Sequence, residues 1–198
     1  MTQRSDTFAP MTIENAPGLR AQTAPELLAL IPQLIDDVKS APQTDQHCLD
    51  FLRRLLMGPT PEEAATYMAH ALAPRHAIWW GHECLQAMPD FLTDQDRQML
   101  GLVAAWVGEP DEDHRNAVLD QAQAAELRGP GVWLGLATGW SGGSMSRPGL
   151  PVVAPPPYVL GRALNAAILT ALARVPQDRR ARMLSHYVTM GEVLAKSG

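Results

Sequence analysis

The chain has 198 residues, of which 46% are hydrophobic and 19% are charged, a composition typical of a globular protein with one core. Its formal net charge of −5 argues against a general nucleic-acid binder, and two cysteines are too few for a disulfide framework. Because no apolar run approaches the roughly 20 residues that span a bilayer, and the first thirty residues lack the order of a signal peptide, we expect a cytoplasmic protein without membrane insertion.

Residues 1–23 are polar and show no hydrophobic period, which predicts an N-terminal tail. Over residues 24–198, apolar residues recur at helical spacing in segments that end at proline or glycine, as in amphipathic helices. This pattern predicts a single all-α domain, a helical bundle of about eight helices. Neighbouring pairs of predicted helices have similar lengths, so the bundle could also be built from helical hairpins that pack as repeats. Pro32 interrupts the first segment and predicts a kink or two short helices there.

The helix over Tyr158–Arg174 has the widest apolar stripe and is predicted to be central. Its apolar positions follow the spacing i, i+3, i+4, i+7: Val159, Leu160, Ala163, Leu164, Ala167, Ile168, Ala171 and Leu172. A second helix, over 93–107, is apolar nearly all round and is also predicted to be central. The acidic helix over 111–126 has a thin apolar stripe and is predicted to be the most exposed.

A long segment, Ser141–Pro157, separates the last helices and contains five prolines after Ser144. Prolines restrict the unfolded chain, and connections of this length are functional or disordered in most proteins. The segment also offers apolar side chains to bury: Leu150, Val152 and Val153. We expect a Gly/Pro-rich strap, ordered and extended, that packs across the helices and is pinned by Trp133 or Trp140.

The pentapeptide at 139–143, Gly-Trp-Ser-Gly-Gly, matches the G-x-S-x-G nucleophile elbow of α/β-hydrolases. Ser141 would be the nucleophile, and Asp178 and His186 follow it in the chain order of those enzymes. That mechanism requires a strand before the serine and a helix after it, whereas a helical pattern precedes Ser141 and prolines follow it. A small serine hydrolase that uses these three residues is therefore the alternative function, and we expect a protein that is not an enzyme.

The run Ser141, Gly142, Gly143 and Ser144 could also present backbone N–H groups to an anion. The simpler interpretation is a turn whose glycines serve backbone geometry. The pair His82-Glu83 lacks the second histidine of H-E-x-x-H, and the other histidines have no convincing ligand spacing. We expect no metal and no cofactor.

Trp79 and Trp80 are adjacent on a predicted helix, where successive side chains point about 100° apart. One is expected in the core and the other at a rim or an interface. With Met68, Met88 and Met99 they predict an apolar groove for a partner helix or peptide. Acidic residues dominate 90–126 and basic residues dominate from 157 onward, a polarity that can orient a partner or a second copy of the chain.

Three stretches together resemble a family of uncharacterised bacterial all-helical proteins associated with type VI secretion loci: Ala-Ile-Trp-Trp at 77–80, Trp-Ser-Gly-Gly-Ser at 140–144, and Pro-Pro-Pro at 155–157 leading into Arg162-Ala163. The resemblance covers roughly Asp45 to Leu194. It implies a cytoplasmic accessory or adaptor protein without catalytic residues.

The expected function is that of a non-enzymatic bacterial interaction protein, an adaptor or chaperone accessory to type VI secretion. Its partner is expected to be another protein, a secretion-system component or effector, and homo-oligomerisation stays open. The candidate binding residues are Trp79, Trp80, Trp140, Ser141, Gly142, Gly143, Ser144 and Arg162.

Overall fold

The computed structural model describes residues 15–146 and 149–197. In these ranges the chain forms α-helices, one 3-10 turn at Pro89–Phe91 and no β-strand, so the predicted all-α fold is confirmed. The helices are α1 (Ala24–Leu30), α2 (Leu34–Asp37), α3 (Cys48–Leu56), α4 (Glu62–Ala71), α5 (Pro74–Gln86), α6 (Asp94–Gly108), α7 (Glu112–Ala124), α8 (Pro130–Gly139), α9 (Val159–Arg174) and α10 (Gln177–Lys196).

Local sequence signals explain several helix boundaries. Pro32 separates α1 from α2, as its missing N–H predicts. Thr93 begins α6 with a capping box in which its side chain accepts the N–H of Asp96 and the carboxylate of Asp96 accepts the N–H of Thr93, which satisfies two donors that a helix start leaves unpaired. Sequence signals therefore determine where α2 and α6 begin.

The segment just before α1 differs from the predicted tail. Residues 1–14 lie outside the described part of the chain, but Ala16 and Leu19 are buried. The N–H of Gly18 donates to the carbonyl of Ala195 over 2.9 Å, and the carbonyl of Gly18 accepts the N–H of Ala73 over 2.8 Å. This segment therefore joins the end of α10 to the end of α4 and belongs to the packed domain.

The core is organised around α8 and α9, which pack against each other. Nearly every residue of α8 is buried, and α9 buries the predicted stripe from Leu160 to Leu172, so its central position is confirmed. Helices α6 and α7 cover α8, while α4 and α5 cover α9. The expectation that α6 is central is wrong, because Gly101, Leu102, Ala104 and Ala105 face solvent on its outer side.

Asp96 links the ends of three helices by hydrogen bonds. Its carboxylate is fully buried and accepts hydrogen bonds from the N–H of Gly131 at the start of α8 and from Nη1 of Arg174 at the end of α9, both over 2.8 Å. Burial alone would raise the pKa of Asp96, but the bonds from Arg174, Thr93 and Gly131 outweigh it, and the pKa lies below its ordinary value. The charged carboxylate thus holds α6, α8 and α9 in register.

Within the described residues, no helix combines the length and apolar character needed to cross a membrane.

Candidate functional site

The long connection from α8 to α9 is held at its base by a buried arginine. Arg115 of α7 is 3% exposed, and its Nη1 donates to the carbonyls of Gly139 and Ser144. Glu112 orients the guanidinium through two bonds, from Nε over 3.0 Å and from Nη2 over 2.7 Å. Such a bidentate pair fixes direction as well as distance. Helix α7 therefore positions both ends of the turn formed by residues 141–144, here called the Gly/Ser turn.

The Gly/Ser turn is a structured turn around Gly143. This residue has φ of +58°, and a Cβ built on it would lie 2.6 Å from Nη2 of Arg115 and 2.7 Å from Oε1 of Glu112. A Cβ on Gly142 would meet nothing within 4 Å. Of these two positions, only 143 requires glycine, because of its positive φ and because a Cβ there would lie too close to Arg115 and Glu112.

Beyond the turn, the connection closes on itself. The side-chain oxygen of Ser144 accepts the N–H of Ser146 over 3.0 Å and the N–H of Val153 over 3.1 Å. The N–H of Met145 donates to the carbonyl of Val153 over 2.8 Å. Both backbone groups of Val153 are therefore directed at the base of the loop.

The residues Leu150–Ala154, here called the tip segment, are exposed throughout. Leu150 is 60% exposed, Val152 80% and Val153 50%. The expected strap across the helices is therefore wrong at this point. The reason is local: Ser144 and Met145 satisfy the backbone of Val153, so the loop folds onto its own base and its apolar side chains reach solvent.

The C-terminal end of the loop is anchored by two other arginines. Nη1 of Arg20 donates to the carbonyl of Pro157 over 3.1 Å. Arg162 stacks on the ring of Tyr158 at 4.8 Å and donates from Nε to Asp37 over 2.8 Å. Arg162, a candidate binding residue, thus joins α9 to α2 and steadies the point where the loop re-enters the bundle.

A fully buried histidine lies next to the ion pair of Arg162 and Asp37. His70 of α4 has no hydrogen-bond partner for either ring nitrogen among the described residues, and its Nε2 lies 3.9 Å from a carboxylate oxygen of Asp37. Burial lowers the pKa of His70 to about 4, against the opposing effect of Asp37. His70 is therefore neutral near pH 7 and acts as a core residue packed on α9.

The tryptophan pair divides as its helical spacing predicts. Trp80 is fully buried, and its Nε1 donates to the carbonyl of Tyr187 over 2.8 Å. Trp79 is 40% exposed. Trp80 is therefore a core residue that a partner does not reach, and Trp79 is the member of the pair that a surface contact can use.

The candidate hydrolase residues lie on different parts of the fold. Ser141 follows α8 instead of a strand, and its hydroxyl donates to the carbonyl of Thr138 over 2.7 Å. Asp178 and His186 lie on exposed positions of α10, which packs on α3, α4, α5 and α9. No hydrogen bond joins Ser141 to His186 in the part of the chain that the structure describes. The strand–turn–helix setting of a nucleophile elbow is not formed around Ser141.

One group of possible metal ligands was not singled out from the sequence. Ligand atoms of Glu109, Asp111 and His114 lie within 4.8 Å of one another. The carboxylate of Asp111 caps α7 by accepting the N–H of His114 over 2.7 Å, and its contact with the imidazole measures 2.9 Å. The group is largely exposed, and helix capping accounts for the arrangement of Asp111 and His114.

Comparison with known proteins places the chain in a family without describing its activity. No curated protein and no solved structure matches it. A family model matches residues 51–195, close to the range over which the sequence resembles an uncharacterised family. That match includes the helices from α4 to α9, the Gly/Ser turn and the tip segment, and the chain therefore belongs to the family of unknown function DUF6931.

Proposed function

We propose that this protein is a non-enzymatic bacterial interaction protein, a cytoplasmic adaptor or chaperone accessory to type VI secretion, and that its tip segment contacts another protein. One observation carries the proposal: Leu150, Val152 and Val153 are all exposed on a loop whose base is fixed by Arg115. Binding residues are often found on loops that a rigid scaffold positions.

The apolar tip is large enough to matter energetically. Complete burial of one Val or Leu side chain contributes roughly 1.5–3 kcal/mol. Scaled by the exposed fractions of these three side chains, their burial by a partner would contribute about 3–6 kcal/mol. That range supports a reversible contact, to which Trp79 could add a second anchor because aromatic side chains are frequent hot spots.

The link to type VI secretion rests on the resemblance of the Trp-Trp, Trp-Ser-Gly-Gly-Ser and triple-proline stretches alone. It specifies the partner as a secretion-system component or an effector. Identification of the bound protein therefore tests the link separately from the contact itself.

The decisive experiment is affinity capture from the native host with wild type, Val152→Asp and Leu127→Asp. Leu127 is 75% exposed and lies outside the loop, so it is a matched control for the loss of an exposed apolar side chain. We expect a specific partner that the wild type and the Leu127 variant retain and the Val152 variant loses. Equal recovery by the wild type and both variants would contradict the role of the tip segment.

The serine hydrolase alternative has its own test. A fluorophosphonate probe that labels the wild type but not Ser141→Ala would show a nucleophilic serine. We expect no labelling, because the hydroxyl of Ser141 already donates to Thr138 and no base is placed beside it in the described structure.

A further inference from the structure

On the outer edge of the tip segment are backbone groups that no described residue pairs with. In an extended chain, the N–H and C=O groups of successive residues point to opposite edges. Both groups of Val153 point inward, to Ser144 and Met145. The groups of Val152 and Ala154 consequently point outward, and neither residue has a backbone hydrogen bond in the described part of the chain.

The prolines preserve this outer edge. Pro151 and Pro155 lie two residues before and two residues after Val153, so in an extended segment their nitrogens point to the same inner edge. Proline has no N–H, and the missing donors are therefore inner-edge donors. Each proline also disfavours the helical conformation for the preceding residue, Leu150 or Ala154, and shifts it to the extended β or polyproline region. The sequence therefore keeps the segment extended, blocks the inner edge and leaves the outer donors at 152 and 154 intact.

The size of the segment decides what can cover it. A stable contact between two globular surfaces involves about 20–30 residues a side, whereas the tip segment has five. A second copy of this chain that docked through the tip segment alone would bury too little area. A single extended peptide is the occupant that fits, because it gains backbone hydrogen bonds as well as apolar contact.

We propose that the tip segment binds an extended apolar peptide of a partner protein by β-strand addition, a proposal that rests on the interaction function above. The outward N–H and C=O groups of Val152 and Ala154 pair with the peptide backbone. Leu150, Val152 and Ala154 lie on one face of the extended segment, since side chains alternate. The matching peptide carries β-branched or aromatic residues at alternate positions.

The test separates backbone pairing from apolar contact. Ala154→Pro removes one outward N–H and keeps a small apolar side chain, and Ala154→Ser keeps the N–H. A phage-displayed library of random twelve-residue peptides is selected on the purified wild type. Fluorescence polarisation then measures the affinity of the enriched peptides for the wild type, both Ala154 variants and Val152→Asp. Circular dichroism confirms that each variant folds.

We expect enriched peptides with alternating apolar residues, whose affinity falls about fivefold or more for Ala154→Pro and stays within about twofold for Ala154→Ser. Equal affinity for wild type and Ala154→Pro, with loss in Val152→Asp, would overturn strand addition and leave the proposed contact function standing. Equal affinity for Val152→Asp would remove the tip segment from both proposals. Failure to enrich any peptide, or dimerisation of the wild type that Ala154→Pro abolishes, would overturn the peptide as the occupant.

Discussion

Replacement of Gly143 by Val tests whether the Gly/Ser turn is fixed by backbone conformation. The residue has φ of +58°, a region that costs a residue with a Cβ roughly 1–2 kcal/mol. The new Cβ would also lie 2.6 Å from Nη2 of Arg115, and displacement of this buried guanidinium from its acceptors costs roughly 1–3 kcal/mol. The free energy of unfolding should fall by about 2–5 kcal/mol in total.

Gly142→Val is the matched control, because a Cβ at that position meets nothing within 4 Å and its φ is not positive. Surface substitutions of this kind change stability by about 0.5 kcal/mol or less. Urea titration followed by circular dichroism measures both variants. For a chain of this length, the expected loss corresponds to a Tm lower by about 4–20 °C.

Equal stability of the two variants would refute the reasoning, since the two glycines are adjacent but differ in backbone conformation and in the close approach of Arg115 and Glu112. A loss of peptide or partner binding by Gly143→Val, without loss of stability, would instead indicate that the turn itself contacts the ligand.

Asp96→Asn should show a shallower loss of stability in acid than the wild type, measured by urea titration at several pH values. The reason is that the lowered pKa of Asp96 stabilises the fold above about pH 4 and loses this effect as pH falls further; parallel curves would contradict the charged contact. Gly161→Ala should cost about 1–3 kcal/mol, because its Cβ would lie 2.3 Å from Nδ1 of His70; wild-type stability would contradict that packing. Trp80→Ala should cost about 3–5 kcal/mol and Trp79→Ala about 1 kcal/mol, and similar losses in thermal melts would contradict their different burial.

Helix positions could be predicted from the sequence, because a 3.6-residue apolar period and helix-breaking proline and glycine residues are local signals. Pro32 is confirmed as a break between two short helices, and α6 begins after Thr93 with the local signal of a capping box. The apolar pattern mispredicts the outer face of α6, because small residues such as Gly101 and Ala104 count as apolar in a pattern, yet their exposure to solvent costs little.

The base of the loop could not be read in the same way. Arg115 occupies an acidic helix, where a lone basic residue resembles an ordinary surface charge. Its partners are the carbonyls of Gly139 and Ser144. Every residue has a backbone carbonyl, so the sequence does not indicate which carbonyls a buried arginine will bind. The sequence pattern does not indicate the exposure of Val152 for a related reason. The backbone of the neighbouring Val153 pairs with Ser144 and Met145, and this pairing turns the segment away from the helices.

The exposure of the tip segment follows from how the loop is held. An apolar segment that is free to move lowers its free energy by folding back, at about 25 cal/mol per Å² of surface removed from water. Here Arg115 fixes the base, Arg20 holds the carbonyl of Pro157, and the backbone of Val153 is already paired. A partner peptide of the kind proposed above would therefore meet a loop whose base is already fixed, and it would not have to supply the free energy that orders that base. Such preorganisation favours rapid association with a short peptide, while the small area of the tip keeps the complex readily reversible.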